Sequence, residues 1–158
     1  MALTQKSVGT AFTEIKKFNE IGGSLQNITK DSIALQLDLI QEEYLETVQA
    51  FDDCNSEEFA DGIADLFVVV CGMIQKLEVV GYDMEAVLAA VCENNLSKYI
   101  PVGKAIHYDP EFTKTLNEKH QVYVLRDKKL KIRKPTNFKP VDLYGLVPKE
   151  FFESSSND

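Results

Sequence analysis

Apolar residues recur every three or four positions over most of the first hundred residues, and the recurrence breaks where glycine, proline or capping residues cluster. Val8, Phe12, Ile15 and Phe18 carry the spacing from Ser7 to Ile21, and Gly22-Gly23 end it, which predicts a helix with a glycine terminator. A second helix is predicted from Asp31 to the stretch Asp52 to Asn55. Its stripe is Ile33, Leu37, Ile40, Tyr44, Val48 and Phe51, uninterrupted by Pro or Gly. A third, from Asn55 or Ser56 to about Glu78, opens on a capping-box pattern, Asn55 with Glu58 three positions on. It is apolar on nearly every side (Phe59, Ile63, Leu66 to Cys71, Ile74, Leu77), so it calls for neighbours or a second subunit around it. A fourth follows Gly81, is capped by Asp83 and carries Met84, Val87, Leu88, Val91 and Leu96.

Beyond Pro101 the helical spacing is lost. Val122 to Leu125 and Leu130 to Ile132 flank the polar Arg126-Asp127-Lys128-Lys129 and predict a small hairpin. Pro135, Pro140 and Pro148 then punctuate an irregular tail whose Phe138, Leu143, Leu146, Phe151 and Phe152 predict that it wraps the body. The expectation is an all-α protein, a four-to-five-helix bundle with a small C-terminal hairpin and tail. It forms one domain over residues 1–158, with the helical core at about 5–100, the hairpin and tail at about 101–153, and no internal repeat.

Composition narrows the class. A chain of 158 residues with 44% hydrophobic and 27% charged positions suits one ordinary soluble domain, with disorder expected only at Ser154 to Asp158. The longest apolar run, Leu66 to Met73, is far too short to span a bilayer, and Met1 to Thr10 lacks a signal peptide's apolar segment. A cytoplasmic protein without membrane contact is expected. Cys54, Cys71 and Cys92 form no C-x-x-C pair, and Cys71 and Cys92 lie in apolar helical contexts, so neither disulfide nor zinc is expected. The net charge of -8 argues against a long nucleic acid as partner. It is unevenly spread: from Gln121 to Pro140 seven cations, Arg126 and Lys134 among them, against Asp127 give +6 and leave -14 for the remainder. A solvated basic loop accounts for that segment; a phosphate-facing role for some of its cations is the alternative.

The acidic remainder holds the most informative cluster. At roughly 100° per residue, Glu43 and Glu46 project about 60° apart on the second helix, with Glu42 on the same flank, all bordering the apolar stripe. On the third helix Asp61 and Asp65 are one turn apart on an otherwise apolar element, where an anion is costly to bury. No Lys or Arg occurs between Lys30 and Lys76, so an ion pair within these two helices is excluded. A hard divalent cation, Mg²⁺ or Mn²⁺, resolves the like-charge problem. Each acid also has a plain reading: Glu42 as a surface residue, Glu43 and Glu46 as an ordinary pair, Asp61 as an anion near a helix start. Asp65, flanked by Ile63, Ala64, Leu66 and Phe67, has the weakest such reading. On the fourth helix Asn95 falls one turn after Val91 on the apolar face, with Lys98 following. Its amide either caps nearby backbone or, with the lysine, holds an anionic group.

These residues resemble the all-α nucleoside triphosphate pyrophosphohydrolases, which include MazG-like enzymes, dimeric dUTPases and phosphoribosyl-ATP pyrophosphatase. Glu42-Glu43-Tyr44-Leu45-Glu46 is similar to an E-E-x-x-E motif, and Asp61-Gly62-Ile63-Ala64-Asp65-Leu66-Phe67 resembles the E-L-A-D-L/V-L helix. Glu93 to Lys98 resembles R-x-N-M/L-S-K of the phosphoribosyl-ATP-pyrophosphatase-like branch, near its MazG-like dUTP hydrolases. Lys134 to Leu143 resembles that branch's K-P-x-N-W-R-P-P-D-L ending. Together the motifs cover most of Asp31 to Leu143; each alone is weak, four in order are fairly specific. One departure stands out: the second motif is usually E-x-x-D, which puts Gly62 where a glutamate is expected. Asp61 is then the substitute, as in the D-x-x-x-D pattern of some phage-type members.

The resemblance implies hydrolysis of a (d)NTP to the (d)NMP and pyrophosphate with two or three Mg²⁺ ions, in phage or housekeeping control of nucleotide pools. It implies Glu43, Glu46, Asp61 and Asp65 as metal ligands, with Glu43 as ligand or base and Glu42 in support. Asn95, Lys98, Arg126 and Lys134 would hold the substrate. It also implies a homodimer or dimer of dimers, placed in the host cytoplasm if the chain is phage-encoded. Three rivals stand beside it. Phosphoribosyl-ATP pyrophosphatase uses the same chemistry, and a non-catalytic nucleotide-binding or interaction module would keep only the fold. A di-iron bundle needs E-x-x-H pairs, but Lys104 and Asn117 stand three before His107 and His120.

Overall fold

The computed structural model describes residues 1–152, so the expected disorder at Ser154 to Asp158 lies outside the described residues. Four helices open the chain: α1 (Gln5–Ile21), α2 (Lys30–Asp52), α3 (Ser56–Val79) and α4 (Met84–Leu96). Four short strands follow: β1 (Ile100–Pro101), β2 (Thr113–Asn117), β3 (Val122–Arg126) and β4 (Ile132–Arg133). The architecture is an all-α bundle carrying a few short strands toward its C-terminus.

The helix ends follow local chemistry. Thr4 with Ser7, and Thr29 with Ser32, form reciprocal capping boxes at the starts of α1 and α2. In each, serine does what glutamate usually does at the third helical position. Asn55 caps α3 by accepting the Glu58 N–H at 3.2 Å. After α1, Gly23 takes φ +72° and lets the Ser24 N–H return to the Asn19 carbonyl at 3.0 Å, the bond that closes a helix through a left-handed residue.

The chain divides into two compact units, Met1–Met84 with the segment from Val147, and Glu85–Leu146. In the first, α1 and α2 both pack on α3. Its buried apolar residues are few, Ile15, Ile33, Ala50 and Cys71, and Gln36, Thr47, Gln75 and Lys76 are buried with them. The α2 face turned to α3 is therefore not the expected apolar stripe. Ile33 and Ile40 belong to it, but the line continues through Gln36, Glu43, Thr47 and Ala50, while Leu37, Tyr44, Val48 and Phe51 are exposed. The reason is size: closely approaching helices take small or hydrogen-bonding residues at their contact line and leave bulky side chains outside it. The third helix likewise exposes Phe59, Ile63, Phe67, Val68 and Val70.

In the second unit β3 is the hub of an antiparallel sheet. β2 pairs along its whole length, β1 pairs at its start (Ile100 with Tyr123) and β4 at its end (Arg126 with Ile132). The expected hairpin is thus the β3–β4 pair, but the longer pairing is with β2, whose five residues are all exposed and lack the half-buried alternation that marks a strand. Val124 and Leu125 of β3, with Ile100, form its buried apolar centre. After β4 the chain is irregular, as expected, and is tied within this unit by Thr136, whose N–H and hydroxyl both donate to the His107 carbonyl, and by Asn94, whose amide donates to the Lys139 carbonyl at 2.8 Å.

Candidate functional site

Two close approaches, and one charge interaction between them, show how α2 and α3 run past one another. Gly62 lies against Thr47: a Cβ at residue 62 would overlap Thr47 Oγ1 and sit 3.2 Å from its Cα and Cβ. Glu43 feels the charge of Asp65 more than that of any other acid. At the far end Gln36 Nε2 donates to the Val69 carbonyl at 2.8 Å and crowds Gly72. The helices are antiparallel, so Thr47 faces Gly62, Glu43 faces Asp65, and Gln36 faces Val69 and Gly72.

That seam brings the predicted acids into one electrostatic neighbourhood. Glu43 is half-buried between the helices, Asp65 is half-buried opposite it, and Glu42, Glu46 and Asp61 are exposed around them. Desolvation lifts the Glu43 carboxyl above the usual glutamate range, and the charges of Asp65, Glu46, Glu42 and Asp61 add to the lift in that order. Among the described residues no cation offsets them at Glu43. Thr47, one turn on, donates its hydroxyl to the Glu43 carbonyl oxygen at 2.7 Å, so the residue that packs on Gly62 also braces the backbone that carries Glu43. Among the described residues no three His, Cys, Asp or Glu side chains stand in a metal-coordinating group. The donor set is nonetheless of the kind hard divalent cations take, carboxylate oxygens only, carrying an uncompensated negative charge.

The approach at residue 62 settles one local question of geometry. A glutamate there has no room for even its Cβ, so the α3 carboxylate within one turn ahead of Asp65 is that of Asp61.

The four residues expected to hold phosphate belong to the second unit. Asn95 is exposed in the last turn of α4, not core-facing as its spacing predicted, because the helix ends at Leu96 and the amide faces outward. Its Oδ1 accepts from Lys98 Nζ at 2.7 Å, so these two do form a pair. Arg126 donates from Nη1 to Thr115 Oγ1 at 3.1 Å, and Lys134 Nζ lies 5.2 Å from the Phe138 ring centre. The basic loop between β3 and β4 is organised by Asp127. Its carboxylate accepts the N–H groups of Lys129 and Lys131 and pairs with Arg133 at 2.6 Å. Partial burial works to raise the Asp127 carboxyl, but the Lys131 N–H, the Arg133 guanidinium and the Lys129 N–H outweigh it and hold the group below the usual aspartate range.

Residues 23–95 match the profile of the phosphoribosyl-ATP pyrophosphohydrolase family. This segment is similar to that family, which is part of the MazG-like all-α nucleoside triphosphate pyrophosphohydrolase superfamily. The matched segment spans α2, α3 and nearly all of α4, and so contains all five acids and Asn95 but neither Lys98 nor the basic loop. The matched family is one of nucleotide pyrophosphohydrolases. No curated protein and no solved structure matches the chain. Among the described residues no helix is long and apolar enough to cross a membrane.

Periodicity missed the buried polar residues Gln36, Thr47, Gln75 and Lys76. The available signal was Gly62 and Gly72 inside a long helix, where glycine costs about 1 kcal/mol against alanine and so marks a close approach.

Proposed function

We propose that the protein hydrolyses a nucleoside triphosphate to the monophosphate and pyrophosphate in a metal-dependent reaction at the α2–α3 acid cluster. The observation that carries this is the acid cluster: Glu43 and Asp65 half-buried on the α2–α3 seam, with Glu42, Glu46 and Asp61 near them, no Lys or Arg between Lys30 and Lys76, and all five inside the segment similar to the pyrophosphohydrolase family. Water adds to the α-phosphorus, the bond to the bridging oxygen breaks, and pyrophosphate leaves. Divalent magnesium, or manganese in its place, would supply charge neutralisation of the triphosphate and of the charge that develops as the anhydride bond breaks.

Glu46 and Asp65 are the principal ligands in this reading, with Asp61 beside Asp65. Glu43, whose carboxyl holds a proton more tightly than an ordinary glutamate, suits the base that takes the proton from the attacking water, or shares in ligation. Glu42 supports from the outer flank. Asn95 and Lys98, as a bonded amide–ammonium pair, and the cations Arg126 and Lys134 suit an anionic substrate.

A second reading is favoured by the matched family's own description: phosphoribosyl-ATP as substrate, cleaved by the same chemistry. Pyrophosphate release from the (d)NTPs and phosphoribosyl-ATP with Mg²⁺ separates the two. Turnover should fall at least a hundredfold in Asp65→Asn and Glu46→Gln, in line with the loss of a major electrostatic group. No release from any of these substrates by the parent protein would sink the enzyme reading and leave a binding module.

The protein also works as a homo-oligomer in this reading. Tyr44, Leu45, Val48, Phe51, Ile63 and Phe67 are exposed apolar side chains on α2 and α3, of the kind a second protomer covers. Light scattering that finds only monomer at micromolar concentration would count against it.

A further inference from the structure

One pocket of the first unit, about 470 Å³, is walled by Phe18 of α1, Leu39 of α2 and Val68 of α3, and carries six polar side chains: Asn19, Gln36 and Lys76, the exposed Gln26, and Ser24 and Ser32, whose hydroxyls donate to Asn19 and to the Thr29 carbonyl. It lies on the same seam as the acids. Gln36 precedes Glu43 by two turns and Val69 follows Asp65 by one, which puts the pocket about 6 to 10 Å along the helices from the acid cluster. Gln36 and Lys76 are more than nine-tenths buried, yet both line an open concavity.

The hydrogen bonds fix which way each amide points. Gln75 Nε2 donates to the Phe12 carbonyl, which can only accept, so Gln75 Oε1 is an acceptor and Asn19 must turn Nδ2 toward it, at 2.9 Å. The Ser24 hydroxyl is shared between the Asn19 backbone carbonyl at 3.1 Å and Asn19 Oδ1 at 3.2 Å. Gln36 Nε2 donates to the Val69 carbonyl, which leaves Oε1 as the acceptor it offers. Lys76 gives one of its three N–H bonds to the Ser24 carbonyl at 2.6 Å; among the described residues the ion pair is elsewhere, between Arg133 and Asp127. Around the buried Gln36 and Lys76 the pocket therefore offers a ligand N–H donors from Lys76 and Asn19 against the Gln36 Oε1 acceptor, while Gln26, donor and acceptor alike, is exposed.

We infer that this pocket receives the base of the nucleotide and selects pyrimidines over purines, reading them through Lys76, Asn19 and Gln36. The inference rests on the pyrophosphohydrolase reading for the presence of a nucleotide. A ring entering a pocket rich in donors must itself be rich in acceptors. Uracil and thymine show two carbonyls around one N–H, and cytosine shows a carbonyl and a ring nitrogen beside one amine. Guanine's pairing edge has one acceptor and two donors, the inverse of what is offered, and adenine's has one of each. The flat apolar walls of Phe18, Leu39 and Val68 take the faces of the ring.

The test is equilibrium binding of the α,β-imido analogues of dUTP, dCTP, dATP and dGTP to the full chain with Mg²⁺. At least one pyrimidine analogue should bind about tenfold or more tighter than either purine analogue. Lys76→Met and Gln36→Met should each erase that ratio while purine affinity stays within about twofold. Purine analogues binding as tightly as both pyrimidines would overturn the inference. So would variants that weaken all four alike, the mark of a structural role. If Lys76→Met fails to fold, the parent's ratio and Gln36→Met decide. Pyrimidine-selective binding without pyrophosphate release from dUTP or dCTP would sink the hydrolase reading and keep the pocket. Turnover with a purine preference would do the reverse.

Discussion

Replacing Gly62 by alanine adds one methyl group at the tightest point of the α2–α3 seam. The new Cβ would overlap Thr47 Oγ1 and stand 3.2 Å from Thr47 Cα and Cβ, inside the optimal carbon separation of about 3.5 to 4.0 Å. The helices would have to part by about 0.3 to 0.8 Å. The threonine hydroxyl would also have to rotate away from the Glu43 carbonyl, which it meets at 2.7 Å. Overpacking costs about 1 to 3 kcal/mol and the lost hydrogen bond about 0.5 to 1.5, offset by about 1 kcal/mol of helix propensity gained over glycine. The net expectation is a loss of about 0.5 to 3.5 kcal/mol, each kcal/mol lowering Tm by about 2 to 4 °C. Urea and thermal unfolding of Gly62→Ala, Thr47→Ala and the double variant measure it. The double variant, having lost the hydroxyl overlap, should be more stable than the sum of the single effects predicts. A Gly62→Ala protein more stable than its parent by the propensity gain alone would mean that these helices do not meet at Thr47 and Gly62. Gly62→Glu, which restores the glutamate usual in similar motifs, should be worse than alanine.

Two more outcomes follow from the acids. Glu43 binds its proton more tightly folded than unfolded, so without divalent cations stability should fall as pH rises from the ordinary glutamate range through the raised folded value, then level off. Glu43→Gln should flatten that slope, raise metal-free stability at pH 7 and diminish the Tm gain from Mg²⁺; a variant less stable than its parent in chelator at pH 7 would contradict this. Asp61 adds least of the four acids to the field at Glu43. Asp61→Ala should therefore cost less turnover than Asp65→Asn and raise the Mg²⁺ concentration needed for half-maximal rate, whereas full activity at unchanged Mg²⁺ dependence would remove Asp61 from the site.

The helices were legible because their signals are local. Spacing, Gly22-Gly23 and Asn55 all lie within a few residues of the boundary they set, and the observed bounds differ from the expected ones by one or two positions. The acids were legible because a run without lysine or arginine between Lys30 and Lys76 can be read directly. What could not be read was rotation. Counting apolar residues put Leu37, Tyr44 and Phe51 toward the core, whereas the α3-facing line of α2 runs through Gln36, Glu43 and Thr47, since contact at Gly62 and Gly72 rewards thinness over bulk. β2 was invisible for a similar reason: Thr113–Asn117 has every residue exposed and is a strand only because β3 lies beside it.

The seam also limits how this chain can change. Partners across it have numbers that sum to nearly the same value (Thr47 with Gly62, Glu43 with Asp65, Gln36 with Gly72), so α2 and α3 are matched like the two edges of a zip. Removing one residue from α2 between Gln36 and Glu43 would leave a sound helix yet swing one end of it about 100° against the other. The acids and the pocket would then face different ways. Substitutions can accumulate on this pair of helices, above all as compensating exchanges at facing positions, but insertions and deletions must be confined to the turns that join them.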